Sequence, residues 1–437
     1  MTAGRVTVIG VLMELCYISF YLIKGETGDI LLFIGVNMLT FGLFAYGVYQ
    51  IRTSGRLFSS GNELLGIIIG FAVLFRLTLV PHAPVASDDI YRYVWDGKVA
   101  AGGINPYARP PNDSTLSHLH TADLPSKINF PHMRTIYPPL AQVLFVFSHW
   151  VFGDSIAGLK FLLVLADVSS ILLLVLVLKR LRLLPEAVWL YAWSPLPILY
   201  FGLDGHIDAL GIPFLLLFIY FAASNRHVSA AAALGFTALA KLYPLFIVPM
   251  LIRAARGFKK IWVPLIPVAL LAIGVWLYFE PTGGLYESLA VYSATWEFNG
   301  SVAKILYLIL GSSRDGHIAS GILFSLYLIW LSIIDRSLIE KAFLAFLGFI
   351  ILTPVVQPWY LTWLAALVAV RWSLSVFVFL GLSSVSNFVV YEYRLSGVWQ
   401  DQWWLLLIQY LPFYALLVWE VMQGRFSLSA TKLSLEQ

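Results

Sequence analysis

A chain of 437 residues that is 59% hydrophobic and only 12% charged, with a mean hydropathy of +0.82, has more apolar side chains than a soluble core of its size would hide, so composition excludes a soluble globule and indicates a polytopic membrane protein. The net charge of +4 is small and calls for no nucleic-acid partner. The single cysteine, Cys16, excludes an intrachain disulfide.

The first apolar run, 6–23, contains Glu14 and is followed by Lys24, Glu26 and Asp29 rather than a small-residue cleavage site, so it is expected to stay as a first span. Further runs at 30–51 and 64–80 precede a polar region that reaches Arg134. Loop arginines and lysines set the orientation. Arg5, Arg52, Arg56, Lys179, Arg180, Arg182, Arg253, Arg256, Lys259 and Lys260 are all expected to be cytoplasmic, which places both termini inside and the loop after Val80 outside.

Parity then constrains the next segments. If both 136–152 and 157–178 crossed, the basic cluster at 179–182 would end up outside, so 137–152, opened by Pro138-Pro139, is expected to lie on the outer surface. Spans follow at 157–178, 186–200 and 208–223. A short pair, 228–240 and 243–252, is broken at Lys241-Leu242-Tyr243-Pro244, a hairpin whose polar tip needs a protein-lined cavity. A span at 261–279 leads to the outer loop 280–301 and a surface helix at 302–311. Spans at 316–334, 341–353, 359–370, 373–390 and 402–421 come next, and a polar tail begins at Gln423. The expected fold is all-α, a polytopic transmembrane helical bundle of about 14 spans with juxtamembrane helices on the outer face. Its outer face would hold 88–134, 202–207, the Lys241 tip, 280–301, 354–358 and 391–402.

That face is where the polar residues gather. Asp88 and Asp89 follow Ser87 just beyond a span. They fit a helix cap, a base for a hydroxyl, or oxygen ligands for Mg²⁺ or Mn²⁺. On a helix they point about 100° apart, so one can act while the other braces. Gly102-Gly103 with Asn105-Pro106 ends that helix. Tyr91, Tyr93, Trp95 and Tyr107 fit an interfacial belt better than a sugar platform, and His82, His118, His120 and His132 fit solvated loop positions better than a metal site. Gly205-His206-Ile207-Asp208, preceded by Asp204, concentrates polarity in a turn, where His206 suits a phosphate or sugar oxygen. Lys241 at a broken helix suits a phosphate or diphosphate, against the alternative of snorkelling. Asp167, inside a span, is expected to pair with an Arg or Lys or to be protonated, rather than to touch substrate. Arg76 is expected to snorkel, and Glu14 and Glu420 receive no role. Trp296, Glu297, Asn299, Gln357, Trp359 and Tyr360 combine aromatic and polar groups of the kind a sugar site uses.

Taken together, 88–97 (Asp-Asp-x-Tyr-Arg-Tyr-x-Trp-Asp-Gly), Gly103-Ile104-Asn105-Pro106-Tyr107, Thr135-Ile136-Tyr137-Pro138-Pro139, Gly205-His206-x-Asp208, Lys241-x-x-Pro244, Phe298-Asn299-Gly300-Ser301 and Pro358-Trp359-Tyr360 resemble the GT-C superfamily of integral-membrane glycosyltransferases. Within it the chain is most similar to bacterial polyprenyl-phosphate-mannose-dependent mannosyltransferases of the glycosyltransferase 87 type, and more distantly to dolichol-phosphate-mannose enzymes. The resemblance covers about 64–370. It implies one membrane domain with N-terminal spans at 1–63, a catalytic core at 64–370 and C-terminal spans at 371–437, seated in a bacterial inner membrane. It also implies an essential Asp in the first extracytoplasmic loop, a polyprenyl-phosphate-sugar donor and a glycolipid or glycan acceptor.

The expected reaction is inverting transfer of a hexose, mannose by resemblance. Asp88 or Asp89 serves as base. Lys241 holds the donor phosphate with His206 or Arg92, and Asp208, Tyr91, Tyr137, Asn299, Gln357, Trp359 and Tyr360 are candidate donor or sugar contacts. No cofactor is demanded, and a divalent cation remains an alternative use of the acidic pair. A transporter or flippase of lipid-linked saccharides is the competing expectation, but it predicts polar groups reachable from both faces, whereas here, Asp167 apart, they lie on one.

Overall fold

In an apolar medium the backbone must satisfy its own polar groups, which favours helices. The computed structural model describes residues 2–23, 26–53, 61–254, 262–278 and 284–425, and among them it holds helices and turns with no β-strand. Arg56, Arg256, Lys259, Lys260, Lys24, Glu280 and the tail beyond 425 lie outside the described residues.

The first part of the bundle comprises α1 Ala3–Ile18, α2 Asp29–Thr53, α3 Gly61–Leu79, α4 Asp89–Ala101, α5 Pro139–Phe152 and α6 Ile156–Arg180. The middle part holds α7 Trp189–Ala192, α8 Pro195–Pro197, α9 Asp208–Ala223, α10 His227–Ala240, α11 Val248–Ala254 and α12 Leu265–Tyr278. The last part is α13 Gly284–Thr295, α14 Val302–Leu310, α15 Ser313–Ile333, α16 Leu338–Leu352, α17 Leu361–Val368, α18 Leu374–Leu382, α19 Phe388–Ser396 and α20 Trp403–Met422.

Among the described residues, six helical stretches are long and apolar enough to cross a membrane: Ala3–Leu22, Asp29–Gln50, Ile156–Arg180, Ser313–Ile333, Leu374–Ser396 and Trp403–Met422. Several other apolar helices, α5, α9, α10 and α12 among them, are shorter. The expected span at 186–200 is instead a chain of short pieces, because Pro185, Pro195 and Pro197 interrupt it. It runs through a 3-10 turn Pro185–Val188, α7, α8 and a π turn Ile198–Leu203 whose residues are all buried. The expected loop at 280–301 contains α13, and the span expected to end at 390 continues to Ser396. As expected, α4 stops at Gly102, Gly103 takes a left-handed φ of 78°, and the α10 hairpin breaks at Lys241.

Lipid supplies no hydrophobic drive between helices, so close packing and buried polar contacts must hold them together. The strongest of these ties α3 to α6 and α7. Arg76, expected to snorkel, is fully buried: it donates to Asp167 at 2.5 Å and to the carbonyls of Ala72 and Ala192, while Tyr191 also donates to Asp167. It cannot reach an interface from there because three acceptors surround it. Asp167 is therefore paired, as expected. Glu420, which has no role by sequence, accepts from the Ser373 and Ser375 hydroxyls and the amides of Leu374 and Ser375, so it caps the positive N-terminus of α18.

Removing one partner of a buried ion pair leaves the other charge uncompensated, at a cost of about 3–5 kcal/mol. Arg76→Met is therefore expected to lower the melting temperature of the detergent-purified protein sharply. The double variant R76M/D167L should recover much of the loss, and a double variant no more stable than R76M would contradict the pairing.

Candidate active site

The loop after α3 is held before it presents anything. Lys160 on α6 donates to the carbonyls of Leu79 (3.2 Å), His82 (2.5 Å) and Leu203 (2.8 Å), and Asp204 accepts from the amides of Val85 (2.8 Å) and Ala86 (3.2 Å). Both side chains are buried. Gly205 makes this turn with φ of 73°, in a space where a Cβ would run into Ile90 and the Lys160 side chain. The clamp ends one residue before Ser87-Asp88-Asp89.

Asp89 is the first residue of α4 and Asp208 the first of α9, so both carboxylates sit at positive helix ends. Asp88 stands at the N-cap of α4 without capping it, since no amide donates to its side chain. Lys241 ends α10 in an extended conformation, and its ammonium lies 3.2 Å from Asp208. Asp208 also accepts from the Tyr243 hydroxyl (2.6 Å) and the Trp363 indole (2.7 Å). That indole gets close because Gly211 leaves no side chain in its way. Asp208 thus has three donors, and an ammonium with three N–H groups keeps two of them for other partners.

Around Lys241 and Asp89 the walls are aromatic. The ammonium lies 5.8 Å from the ring centre of Tyr137 and 5.5 Å from that of Tyr360. His206 stacks on Trp359 at 3.8 Å and 17°, with its Nδ1 3.7 Å from Asp89. Burial holds the His206 imidazole well below the usual histidine range, helped by the Lys241 charge, so it is neutral. Burial also raises Asp89 to about 6; Lys241 pulls it down, and Asp88 and Asp208 push it up. Asp88 is raised less, with Arg394 and Lys127 opposing the effect of burial.

These groups open into a cavity of about 1040 Å³. Of the candidate residues, Asp88, Asp89, Arg92, Tyr137, Lys241, Gln357, Trp359 and Tyr360 line it. Four others do not. His206 and Asp208 stand behind the wall: Asp208 holds Lys241, and the His206 ring lies near Asp89 with no hydrogen bond among the described residues. Tyr91 lies beneath Lys127 at 5.4 Å. Asn299, expected among the sugar contacts, is buried and spent on structure: it exchanges hydrogen bonds with Gln409, donates its amide to Asp401 and offers its carbonyl to Tyr410. Its position in a left-handed turn (φ 54°) aims the side chain into the α20 interface rather than the cavity.

Arg92 pairs with Asp96 (2.8 Å) and donates to the Met133 carbonyl (2.8 Å), which leaves one guanidinium nitrogen buried without a hydrogen bond among the described residues. Several lining residues carried no usable signal in the sequence. Arg394 reaches back 3.0 Å to the Val85 carbonyl, and Tyr292 shares a 2.8 Å hydroxyl contact with Tyr360. Both come from segments that the sequence already sets on the same face as the acidic loop, but only the fold shows what their side chains touch. Gly321, Phe324, Phe349 and Leu352 from α15 and α16 make an apolar stretch of the far wall, beside His317 and Ser320 of α15.

Among the described residues no three His, Cys, Asp or Glu converge on a common point as a metal-ligand set. Each acid of the pair faces a cation, Lys241 for Asp89 and Arg394 with Lys127 for Asp88. That arrangement suits an anion lying among the cations better than a further divalent charge.

A protein-family model described as alpha-(1->6)-mannopyranosyltransferase, N-terminal domain, matches residues 15–256, more than half of the chain. No curated protein and no solved structure matches the chain. The matched stretch carries Asp88, Asp89, Arg92, Tyr137, His206, Asp208 and Lys241; the aromatic wall from Tyr292 to Tyr360 lies beyond it.

The clamp generates an expectation of its own. Asp204→Ala strands two buried amides, at about 1–3 kcal/mol each, and should depress thermal stability and activity together. Burial pushes Asp204 up to about 7, so Asp204→Asn, which keeps one acceptor oxygen and alters little charge, should be clearly milder. Equal losses in the two variants, read by melting temperature and specific activity, would refute the clamp.

Proposed function

The chain belongs to the alpha-(1->6)-mannopyranosyltransferase family, and we propose that it transfers a mannosyl residue from a polyprenyl-phosphate-linked donor to a glycan acceptor, on the extracytoplasmic face of the membrane and with inversion at the anomeric carbon. The observation that carries this reading is that Asp89, a carboxylate raised to about 6, and the Lys241 ammonium, which lies over the Tyr137 ring, line the same cavity. A base and a phosphate cation therefore face one cavity, and that cavity continues into an apolar wall.

The donor phosphate sits against the free N–H groups of Lys241 and the unpaired nitrogen of Arg92, and its lipid chain runs along Gly321, Phe324, Phe349 and Leu352. Asp89 takes the proton of the acceptor hydroxyl as that oxygen attacks the anomeric carbon. The bond from the anomeric carbon to the phosphate oxygen breaks on the opposite side, and the electron pair leaves with the phosphate. Lys241 and Arg92 stabilise the charge growing there. Attack opposite the leaving group inverts the centre. Asp88 braces the loop through its attraction to Arg394 and Lys127.

Sidedness is argued from charge. The basic residues Lys179, Arg180 and Arg182 stand at the far end of α6 from Lys160 and its loop. A helix of 25 residues separates its ends by roughly 37 Å, enough to put them on opposite faces with the basic end cytoplasmic. The same orientation lays α5 on the outer surface, with exposed Val143, Phe147, Trp150 and Val151 turned to lipid.

General-base assistance is worth about 10² to 10⁴ in rate. Asp89→Asn should therefore lose at least about a hundredfold in kcat/KM with radiolabelled polyprenyl-phosphate mannose, and Asp88→Asn much less. Because the base works deprotonated, kcat/KM should fall as pH drops through about 6, and D88N should keep that acidic limb. An active D89N with a normal pH profile would sink the assignment. The lipid path is tested separately: a Cβ at Gly321 meets nothing within 4 Å, so Gly321→Trp should fold normally yet raise the donor KM at least about tenfold, about 1.4 kcal/mol of lost binding.

A further inference from the structure

Phe130 is the oddest residue of the cavity. It adopts a left-handed φ of 52°, a conformation that costs a bulky side chain energy and that glycine takes freely. Its ring is nonetheless 49% exposed, so burial does not compensate it. It lines the cavity and meets the Trp296 ring edge-on at 4.7 Å. A strained backbone that presents an exposed aromatic to a cavity points to a bound partner.

The surroundings name the partner's chemistry. Trp296 is fixed by Tyr292, whose ring centre lies 5.2 Å away, and by a contact of His317 with its carbonyl at 3.2 Å. Tyr292 in turn touches the Tyr360 hydroxyl, and Tyr360 lies under Lys241. The aromatic pair is therefore one tyrosine pair away from the phosphate cation. Beside it Glu297 lines the cavity half-buried, with no hydrogen bond or ion pair among the described residues, and Asn129 adds an exposed amide. Two aromatic faces with one free carboxylate and one amide fit a neutral pyranose, whose apolar ring face stacks while its hydroxyls donate to the carboxylate. A phosphate or an anionic sugar would be repelled by Glu297.

We propose that Phe130 and Trp296, with Glu297 and Asn129, form the acceptor subsite and bind a neutral hexose residue of the acceptor glycan. This rests on the transferase reading above and adds where the second substrate lies. Neither aromatic touches the reacting atoms; they position the sugar that carries the attacking hydroxyl.

The test uses the full-length protein in detergent, with methyl α-1,6-dimannoside as acceptor and radiolabelled polyprenyl-phosphate mannose as donor. Phe130→Gly relieves the backbone, so its melting temperature should not fall. Its acceptor KM should nevertheless rise at least about tenfold, with a far smaller change in kcat. Glu297→Gln should raise the same KM and leave the donor KM alone. Saturation-transfer NMR of the dimannoside without donor reads binding directly: wild type should show contact to the sugar ring protons and F130G should lose it. An unchanged KM and NMR contact in F130G would overturn the subsite, as would a fall in melting temperature accompanied by equal loss of kcat and acceptor affinity. Dimannoside binding that depends on Phe130 in a protein that transfers no mannose would instead uphold the subsite and refute the transferase reading.

Discussion

The site depends on Lys160. A lysine ammonium buried in a membrane bundle must be surrounded by acceptors, and this one is met by three carbonyls from the end of α3, the loop behind it and the π turn before Asp204. Asp204 completes the arrangement by taking the two amides of Val85 and Ala86. Two segments far apart in sequence are thereby locked together immediately ahead of the acidic pair. The three carbonyls on Lys160 and the two amides on Asp204 together fix where α4 begins.

The same economy shapes the cavity. Asp208 is fully buried, and its three donors neutralise it without exhausting Lys241. Neutral His206 fills the space between Asp89 and Trp359 without adding a charge that would drag the Asp89 carboxyl down. Burial can therefore set Asp89 near 6, basic enough to accept a proton and still ionised at neutral pH. The Lys241 ammonium lies over the ring of Tyr137, in the same cavity wall as Asp89.

The two parts of the chain divide the work. Residues 15–256 match the family and include Asp88, Asp89, Arg92, Asp208 and Lys241. The later helices contribute walls: α13 with Tyr292 and the neighbouring Trp296, α15 and α16 with the apolar face, the turn at Gln357 with Trp359 and Tyr360, and Arg394 from α19. Most of the charged lining residues thus come from one part, and much of the aromatic and apolar wall from the other. A cavity lined from both parts needs those later helices to dock before it exists.

The sequence alone determined the membrane class, the helical fold, the acidic loop, the break at Lys241 and the family, because composition, apolar run length and charge position act locally and survive without knowing contacts. It also foresaw that Asp167 would either pair with a cation or be protonated, as an intramembrane carboxylate must. Only the tertiary structure decided which cation, moving Arg76 from an expected interface into the core. It likewise dissolved the span expected at 186–200 into buried turns and made a helix of 284–295. It also turned Asn299 away from the sugars toward Gln409, set Asp208 and His206 behind the working residues, and brought Phe130 and Arg394 into the cavity. Each of these depends on a partner tens to hundreds of positions away, and a side chain's role in a buried site is fixed by what it faces.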